Sequence, residues 1–274
     1  MNILKSIFKY FNSKLIYLLL IVGIPSILAG FCISGAGFIE LIVNFGNYKF
    51  GSFVDVYMVI LAKRNIWLYL QPVALLGLAL GLSLLYATID KHMRMGEFSI
   101  RDSFRKLDYN FIGCVKFVLV IAIAGHLIKL LFAALVFLFY KTAQNVALAW
   151  TLTAVTAILM GIIYLVIITM LILWLPTMLH TGAGDNRAFI MSIKQLSPHF
   201  GRTFWALSIP LFPYVLLMII NCYFALNLAV VFDVLNFMFF GIWLVITMNT
   251  LYYDLNSIER EDLKSIIWSK KMRG

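Results

Sequence analysis

Six long apolar runs limit what this chain can fold into more than any other feature of its sequence. An α-helix that crosses the hydrocarbon core of a bilayer needs about 20 consecutive apolar residues. Runs of that length lie at about residues 15–33, 66–89, 112–140, 148–179, 203–226 and 230–253. The chain is 63% hydrophobic and only 12% charged, whereas soluble domains carry about 25% charged residues. The sequence therefore predicts an all-α integral membrane protein with six transmembrane helices.

The basic residues are divided unevenly between the two sides that six spans create. Sixteen lysines and arginines lie in the N-terminal segment and in residues 91–111, 181–203 and 255–274, and four lie in the opposite loops. Lysine and arginine concentrate in cytoplasmic loops. We therefore predict a bacterial inner-membrane protein with both termini, including a basic tail at 255–274, in the cytoplasm. The same pattern explains the net charge of +10 without a nucleic-acid partner.

A short polar segment occurs twice, each time just before an apolar run. Residues 103–111 and 192–200 both begin with serine and end with phenylalanine, and a weaker copy begins near Ser6. Apolar residues follow the helical spacing i, i+4, i+7, i+11 in both: Ile100, Phe104, Leu107 and Phe111, then Phe189, Ile193, Leu196 and Phe200. Each segment is therefore predicted to be an amphipathic cytoplasmic helix.

These segments predict repeat units at residues 1–90, 91–180 and 181–254 within a single membrane domain, 1–274. Each unit would consist of an amphipathic helix and a transmembrane hairpin, and the three would be related by rotation about the membrane normal. The alternative is that any cytoplasmic loop before a span is basic and amphipathic. In the longest loop, residues 53–61 are predicted to form a short interfacial helix.

Ionisable side chains within a span are costly and often functional. His126 and Lys129 lie three residues apart in the third span and share a helix face, which suggests a proton relay or an anion contact. Asp233 is a candidate counter-charge for Lys129, about 10 Å away along the membrane normal at 1.5 Å per residue. Asn221 is a further polar candidate. In the alternative interpretation Lys129 extends to the headgroups, and His126 and Asn221 bond neighbouring helices.

Other polar and small residues suggest contacts at the membrane boundary or between helices. Asp90, His180 and Asp254 end the second, fourth and sixth spans, where they would line a cytoplasmic opening or act as interfacial anchors. Gly77 and Gly81 form a small-xxx-small face suited to close helix contact. Basic residues of the polar segments are expected to contact anionic headgroups, each contributing about 1 kcal/mol: Arg101, Arg105, Lys106, Lys194 and Arg202.

The sequence contains no recognisable catalytic motif. Gly-x-Ser-x-Gly, His-Glu-x-x-His, a phosphate-binding glycine loop and a carboxylate pair within a span are all missing. Cys32, Cys114 and Cys222 lack the short spacing of a zinc site. We therefore expect a protein that is not an enzyme and that needs no metal or cofactor.

Two short motifs carry a resemblance to known membrane proteins. Ser192-x-Lys-x-Leu-x-x-x-Phe200 precedes the fifth span, and Leu251-Tyr-Tyr-Asp-Leu255 follows the last. This arrangement resembles a broad group of six-span bacterial inner-membrane proteins, which includes the membrane domain fused to some glycerophosphoryl diester phosphodiesterases. The resemblance implies the six-span fold. It implies no catalytic residues, because this chain has no phosphodiesterase domain.

Two classes of function follow from these features. The first is transport or lipid handling, in which three hairpins surround a cavity and His126 and Lys129 contact a polar or anionic group. The alternative is a non-transporting scaffold or accessory subunit that holds a partner through Gly77 and Gly81. The expected partners are membrane lipids and either another membrane protein or a second copy of the chain.

The topology makes a direct prediction for the loop after the third span. A reporter that is active only outside the cytoplasm should be active when fused after Lys141, and inactive when fused after Gly274. Enzymatic assay of both fusions in cells tests this. A cytoplasmic position for Lys141 would overturn the predicted order of spans.

Overall fold

The computed structural model describes residues 3–61, 69–98, 104 and 107–263. The α-helices in these ranges are α1 (Ile3–Cys32), α2 (Ala36–Val43), α3 (Phe53–Ile60), α4 (Gln71–Met95), α5 (Leu107–Thr142), α6 (Val146–Leu171), α7 (Trp174–Thr181), α8 (Asp185–Leu196), α9 (Phe200–Ser208), α10 (Leu211–Tyr223) and α11 (Ala229–Leu255). Short 3₁₀ turns occupy Phe45–Asn47 and Ser197–His199, and no strand occurs within the described ranges.

Six helical stretches in this part of the chain are long and apolar enough to cross a membrane. They are Ile3–Val43, Gln71–Met95, Tyr109–Thr142, Val146–Thr181, Asp185–Tyr223 and Ala229–Leu255. This confirms the predicted all-α class and the number of helices suited to crossing a bilayer. We call the side where α1 begins and α11 ends the terminal side, and the side of residues 33–61, 69–70, 143–145 and 224–228 the far side.

Prolines explain two breaks within the stretches. A proline has no backbone N–H, so the carbonyl four residues earlier loses its helical partner. The fourth stretch breaks between α6 and α7 just before Pro176, and the fifth breaks at Pro210, where a bend was predicted. The carbonyl of Ala206, which Pro210 leaves free, accepts the Trp243 indole N–H at 2.8 Å. A contact with α11 therefore stabilises the break.

Each long helix packs against its neighbours in the sequence. Helix α1 packs against α4, α4 against α5, α5 against α6, and α6 against α9. Helices α9 and α10 pack against α11, which also packs along α1 and against α4. The first and last spans therefore lie side by side, and α11 closes the bundle.

Glycines permit the closest helix contacts. A Cβ at Gly30 of α1 would lie 2.7 Å from the backbone nitrogen of Val234 in α11, closer than real Cβ atoms approach. A Cβ at Gly81 of α4 would lie 3.0 Å from Pro25 of α1. A Cβ at Gly77 of α4 would lie 3.4 Å from the side chain of Leu28 in α1. The predicted small-residue face therefore contacts α1 within the chain.

A compact cap covers the far side of α5. Helix α3 begins with a capping box, in which the Ser52 hydroxyl accepts from the Asp55 N–H and the Asp55 carboxylate accepts from the Ser52 N–H. Donation from the Ser52 backbone lowers the pKa of Asp55. Phe38 of α2 stacks on Phe132 of α5, with ring centroids 4.8 Å apart. The short helix predicted at 53–61 is thus present, and it packs on α5.

Helix α8 contains most of the second polar segment, and one of its faces is buried against the bundle. Ala188, Ser192 and Leu196 are buried, whereas Phe189 and Ile190 are 36% and 55% exposed. Small residues at 188 and 192 let α8 pack closely on the bundle, so its bulky residues face outward. Much of the first polar segment, including Arg101, Arg105 and Lys106, lies outside the described residues.

The close approach at Gly30 predicts the effect of adding a single methyl group. Gly30→Ala should lower the free energy of unfolding by about 1–3 kcal/mol, because α1 and α11 must move apart. Gly23→Ala on the same helix is the matched control. Its Cβ would meet only Met238, at an ordinary 3.9 Å, so it should stabilise by about 0.5–1 kcal/mol through helix propensity. Thermal unfolding of both variants in detergent measures the difference, and equal melting temperatures would contradict the contact.

Candidate functional site

A polar cluster joins three helices and the loop between α1 and α2 on the far side of the bundle. Its centre is Asp233 in the second turn of α11, which is 1% exposed. The Asp233 carboxylate accepts hydrogen bonds from the Ser34 hydroxyl and the Tyr214 hydroxyl, each at 2.7 Å. The Gly35 N–H approaches the same carboxylate at 3.4 Å. We call Ser34, Lys129, Tyr214 and Asp233 the far-side cluster.

Lys129 reaches the same serine from α5. Its ammonium donates to the Ser34 carbonyl at 3.2 Å, so Lys129 and Asp233 contact opposite polar groups of one residue. Helix α5 continues for 13 residues beyond Lys129, about 20 Å, and this extension packs against the far-side cap. Lys129 and Asp233 therefore share Ser34 as a partner at the far end of α1, and the predicted offset between them along the membrane normal stays a prediction.

The other two candidates inside the bundle lie apart from this centre. His126 is half-buried one turn nearer the terminal side of α5, and its side chain has no hydrogen bond to any described residue. The Asn221 side-chain oxygen accepts the Leu228 N–H at 2.8 Å. Asn221 thus closes the loop between α10 and α11, where Ala225 and Asn227 adopt positive φ.

On the terminal side, Asp90 and His180 come together as part of a buried cluster. Asp90 is 5% exposed, and its carboxylate accepts the Tyr253 hydroxyl at 2.8 Å. His180 Nε2 lies 3.4 Å from the same oxygen, and Arg94 lies 3.7 Å from the other. His180 also stacks on Tyr252 with ring centroids 4.5 Å apart. This cluster is packed between α4, α7 and α11, so Asp90 lies in the interior.

Asp254 points away from that cluster into a separate cavity. The cavity has a volume of about 470 Å³ and is lined by Ile3, His199, Arg202, Asp254 and Leu255. We call it the terminal cavity. It brings together Arg202, predicted to contact headgroups, and Asp254, predicted to lie at an opening. Lys194, the other described headgroup candidate, is exposed on α8 and is not among the lining residues.

Local sequence explains how the terminal cavity forms. Pro198 lies in the 3₁₀ turn that separates α8 from α9. His199 ends this turn, and Arg202 lies in the first turn of α9. Sequence reasoning missed His199, although its i, i+3 spacing from Arg202 was the available signal. The end of α11 supplies Asp254 and Leu255, and the start of α1 supplies Ile3.

A buried ion pair ties the C-terminal segment to α1 beside the cavity. Arg260 donates to both carboxylate oxygens of Asp262 at 2.9 and 3.2 Å, and to the Ser6 hydroxyl at 3.0 Å. Both charged side chains are nearly fully buried. Arg260 was predicted to belong to a basic tail. Its burial shows that this arginine packs against α1, whereas residues 256–259 are exposed.

Compared with protein-family models, with curated proteins and with solved structures, the chain shows no match. The resemblance to the six-span group therefore stays a prediction. Among the described residues no group of three or more His, Cys, Asp or Glu side chains is arranged to hold a metal ion. The candidate sites thus rest on their own geometry.

The far-side cluster predicts a specific loss of stability. Tyr214→Phe removes one of the hydroxyl donors to the buried Asp233 carboxylate, and should lower the free energy of unfolding by about 1–3 kcal/mol. Tyr223→Phe on the same helix is the matched control, because Tyr223 is 76% exposed. Thermal unfolding in detergent compares the two. A Tyr214→Phe variant as stable as Tyr223→Phe would show that the hydroxyl contributes nothing.

Proposed function

We propose that this integral membrane protein handles lipids by binding phosphate-bearing headgroups in the terminal cavity. The observation that carries the proposal is that the exposed Arg202 lines one cavity together with His199 and the apolar residues Ile3 and Leu255. Arginine presents several N–H donors in a plane that matches the oxygens of a phosphate. A lipid combines such a phosphate with an apolar body, and the lining of the cavity has both characters.

The depth of the cavity supports a headgroup ligand. Helix α11 has 27 residues and is about 40 Å long, whereas the hydrocarbon core of a bilayer is about 30 Å thick. The ends of α11 therefore reach the headgroup layer, and Asp254 is its penultimate residue. Exposed apolar side chains on the terminal side, such as Phe8 and Ile190, suit contact with the adjacent lipid.

The proposal includes the predicted orientation and the three-hairpin arrangement. With both termini in the cytoplasm of a bacterium, the terminal cavity would open at the cytoplasmic leaflet, whose anionic lipids attract basic segments. Packing of α1 on α4, of α5 on α6, and of α9 and α10 on α11 is compatible with three hairpins.

The alternative functions have less support from the described contacts. Transport through His126 and Lys129 requires Lys129 to contact a substrate, yet its ammonium bonds Ser34 beside the opposite charge of Asp233. A scaffold that holds a partner through Gly77 and Gly81 requires an open face, yet Pro25 and Leu28 of α1 lie against these glycines. Lipid binding at the terminal cavity requires no rearrangement of either contact.

Removal of the Arg202 charge tests the proposal. Arg202→Gln should retain about tenfold less co-purified phospholipid than the wild type, because charge-assisted hydrogen bonds to the phosphate are lost. Arg187→Gln on α8 removes the same charge from an exposed position outside the cavity and should leave lipid retention unchanged. Native mass spectrometry of the detergent-purified chains measures bound lipid, and equal retention by both variants and the wild type would refute the site.

A further inference from the structure

We infer that the terminal cavity selects a zwitterionic headgroup that carries a phosphate and a primary amine, as phosphoethanolamine does. This inference rests on the proposed function of the same cavity and names its ligand class. The feature behind it is the juxtaposition of Arg202 and Asp254 in one lining.

The two opposite charges share the cavity without neutralising each other. Both side chains are exposed, and neither forms an ion pair or a side-chain hydrogen bond within the described ranges. Arg260 and Asp262, which bind each other, act electrostatically on the Asp254 carboxylate with opposite signs. The cavity therefore offers one cationic side and one anionic side to a ligand.

This charge arrangement disfavours a purely anionic headgroup. A headgroup whose phosphate binds Arg202 places the rest of the headgroup close to the Asp254 carboxylate. A negative or neutral group at that position would leave the negative charge of Asp254 without a counter-charge. A ligand with an ammonium at its other end pairs both charges.

The lining also favours a primary amine over a quaternary one. An ammonium with N–H groups donates hydrogen bonds to a carboxylate, whereas a trimethylammonium has no N–H and is typically held by an aromatic cage. None of the lining residues that the structure describes is Phe, Tyr or Trp. The geometry therefore favours phosphoethanolamine-type headgroups over choline-type headgroups.

The test is competition between lipids that differ only in their headgroups. The full-length chain is incubated with equimolar phosphatidylethanolamine, phosphatidylglycerol and phosphatidylcholine with identical acyl chains, and bound lipid is identified by native mass spectrometry. The wild type should retain phosphatidylethanolamine over each competitor by about fivefold to tenfold. Asp254→Asn should abolish this preference, whereas Glu97→Gln, a control outside the cavity, should keep it.

The outcomes separate the inference from the proposal on which it rests. A wild type that prefers phosphatidylglycerol, or an Asp254→Asn variant that keeps the wild-type preference, overturns the zwitterionic ligand. If Arg202→Gln then still loses lipid, the headgroup site itself stands. If Arg202→Gln retains every lipid as the wild type does, both fail.

A final experiment distinguishes a membrane lipid from a soluble ligand that carries the same headgroup. Free phosphoethanolamine, titrated into the delipidated chain in detergent, should bind at least about tenfold more weakly than the lipid, because burial of acyl carbons adds affinity. Equal affinities for free phosphoethanolamine and for the lipid would support a zwitterionic ligand but would show that the ligand is not a membrane lipid. Melting temperatures equal to the wild type confirm that the Asp254→Asn and Arg202→Gln variants are folded.

Discussion

Every polar group that the spans carry into a bilayer has to find its partner inside the protein, because hydrocarbon offers none. This requirement accounts for the main irregular contacts of the bundle. The carbonyl of Ala206, freed by Pro210, is bonded by Trp243. The buried carboxylate of Asp233 is bonded by Ser34 and Tyr214, and Lys129 reaches the same serine. Helix α11 takes part in these contacts, and it also packs along α1, the first span.

The two sides of the bundle satisfy this requirement to different degrees. On the far side, Asp233 and Lys129 lie within a bonded cluster, and α2 and α3 cover the end of α5. On the terminal side, Asp90 is paired in the interior, but Arg202 and Asp254 remain exposed in one cavity. Charges that are already paired hold the helices together. Arg202 and Asp254 form no ion pair with any residue that the structure describes, which is why the proposed function lies at that end.

Particular residues show how far sequence reasoning reached at the sites. Spacing within one helix predicted local structure. His126 and Lys129 lie on α5 as expected, and the short helix at 53–60 is present. Pairing between helices was less predictable. The shared contact of Lys129 and Asp233 with Ser34 depends on how α5, α11 and the end of α1 are staggered, and the burial of Arg260 depends on how the C-terminal segment folds back onto Ser6. Neither feature leaves a periodic signal in the chain.

The sequence by itself determined the helical class and the number of helices suited to crossing a membrane, because hydrophobic length is a local property of consecutive residues. It also marked Arg202 and Asp254 as charged residues near the ends of spans. Only the tertiary structure decided that these two share a cavity while Lys129 and Asp233 meet at Ser34. The physical reason is that contacts between spans depend on the rotation and stagger of each helix. Those are set by glycine contacts, proline breaks and loop packing across the whole chain.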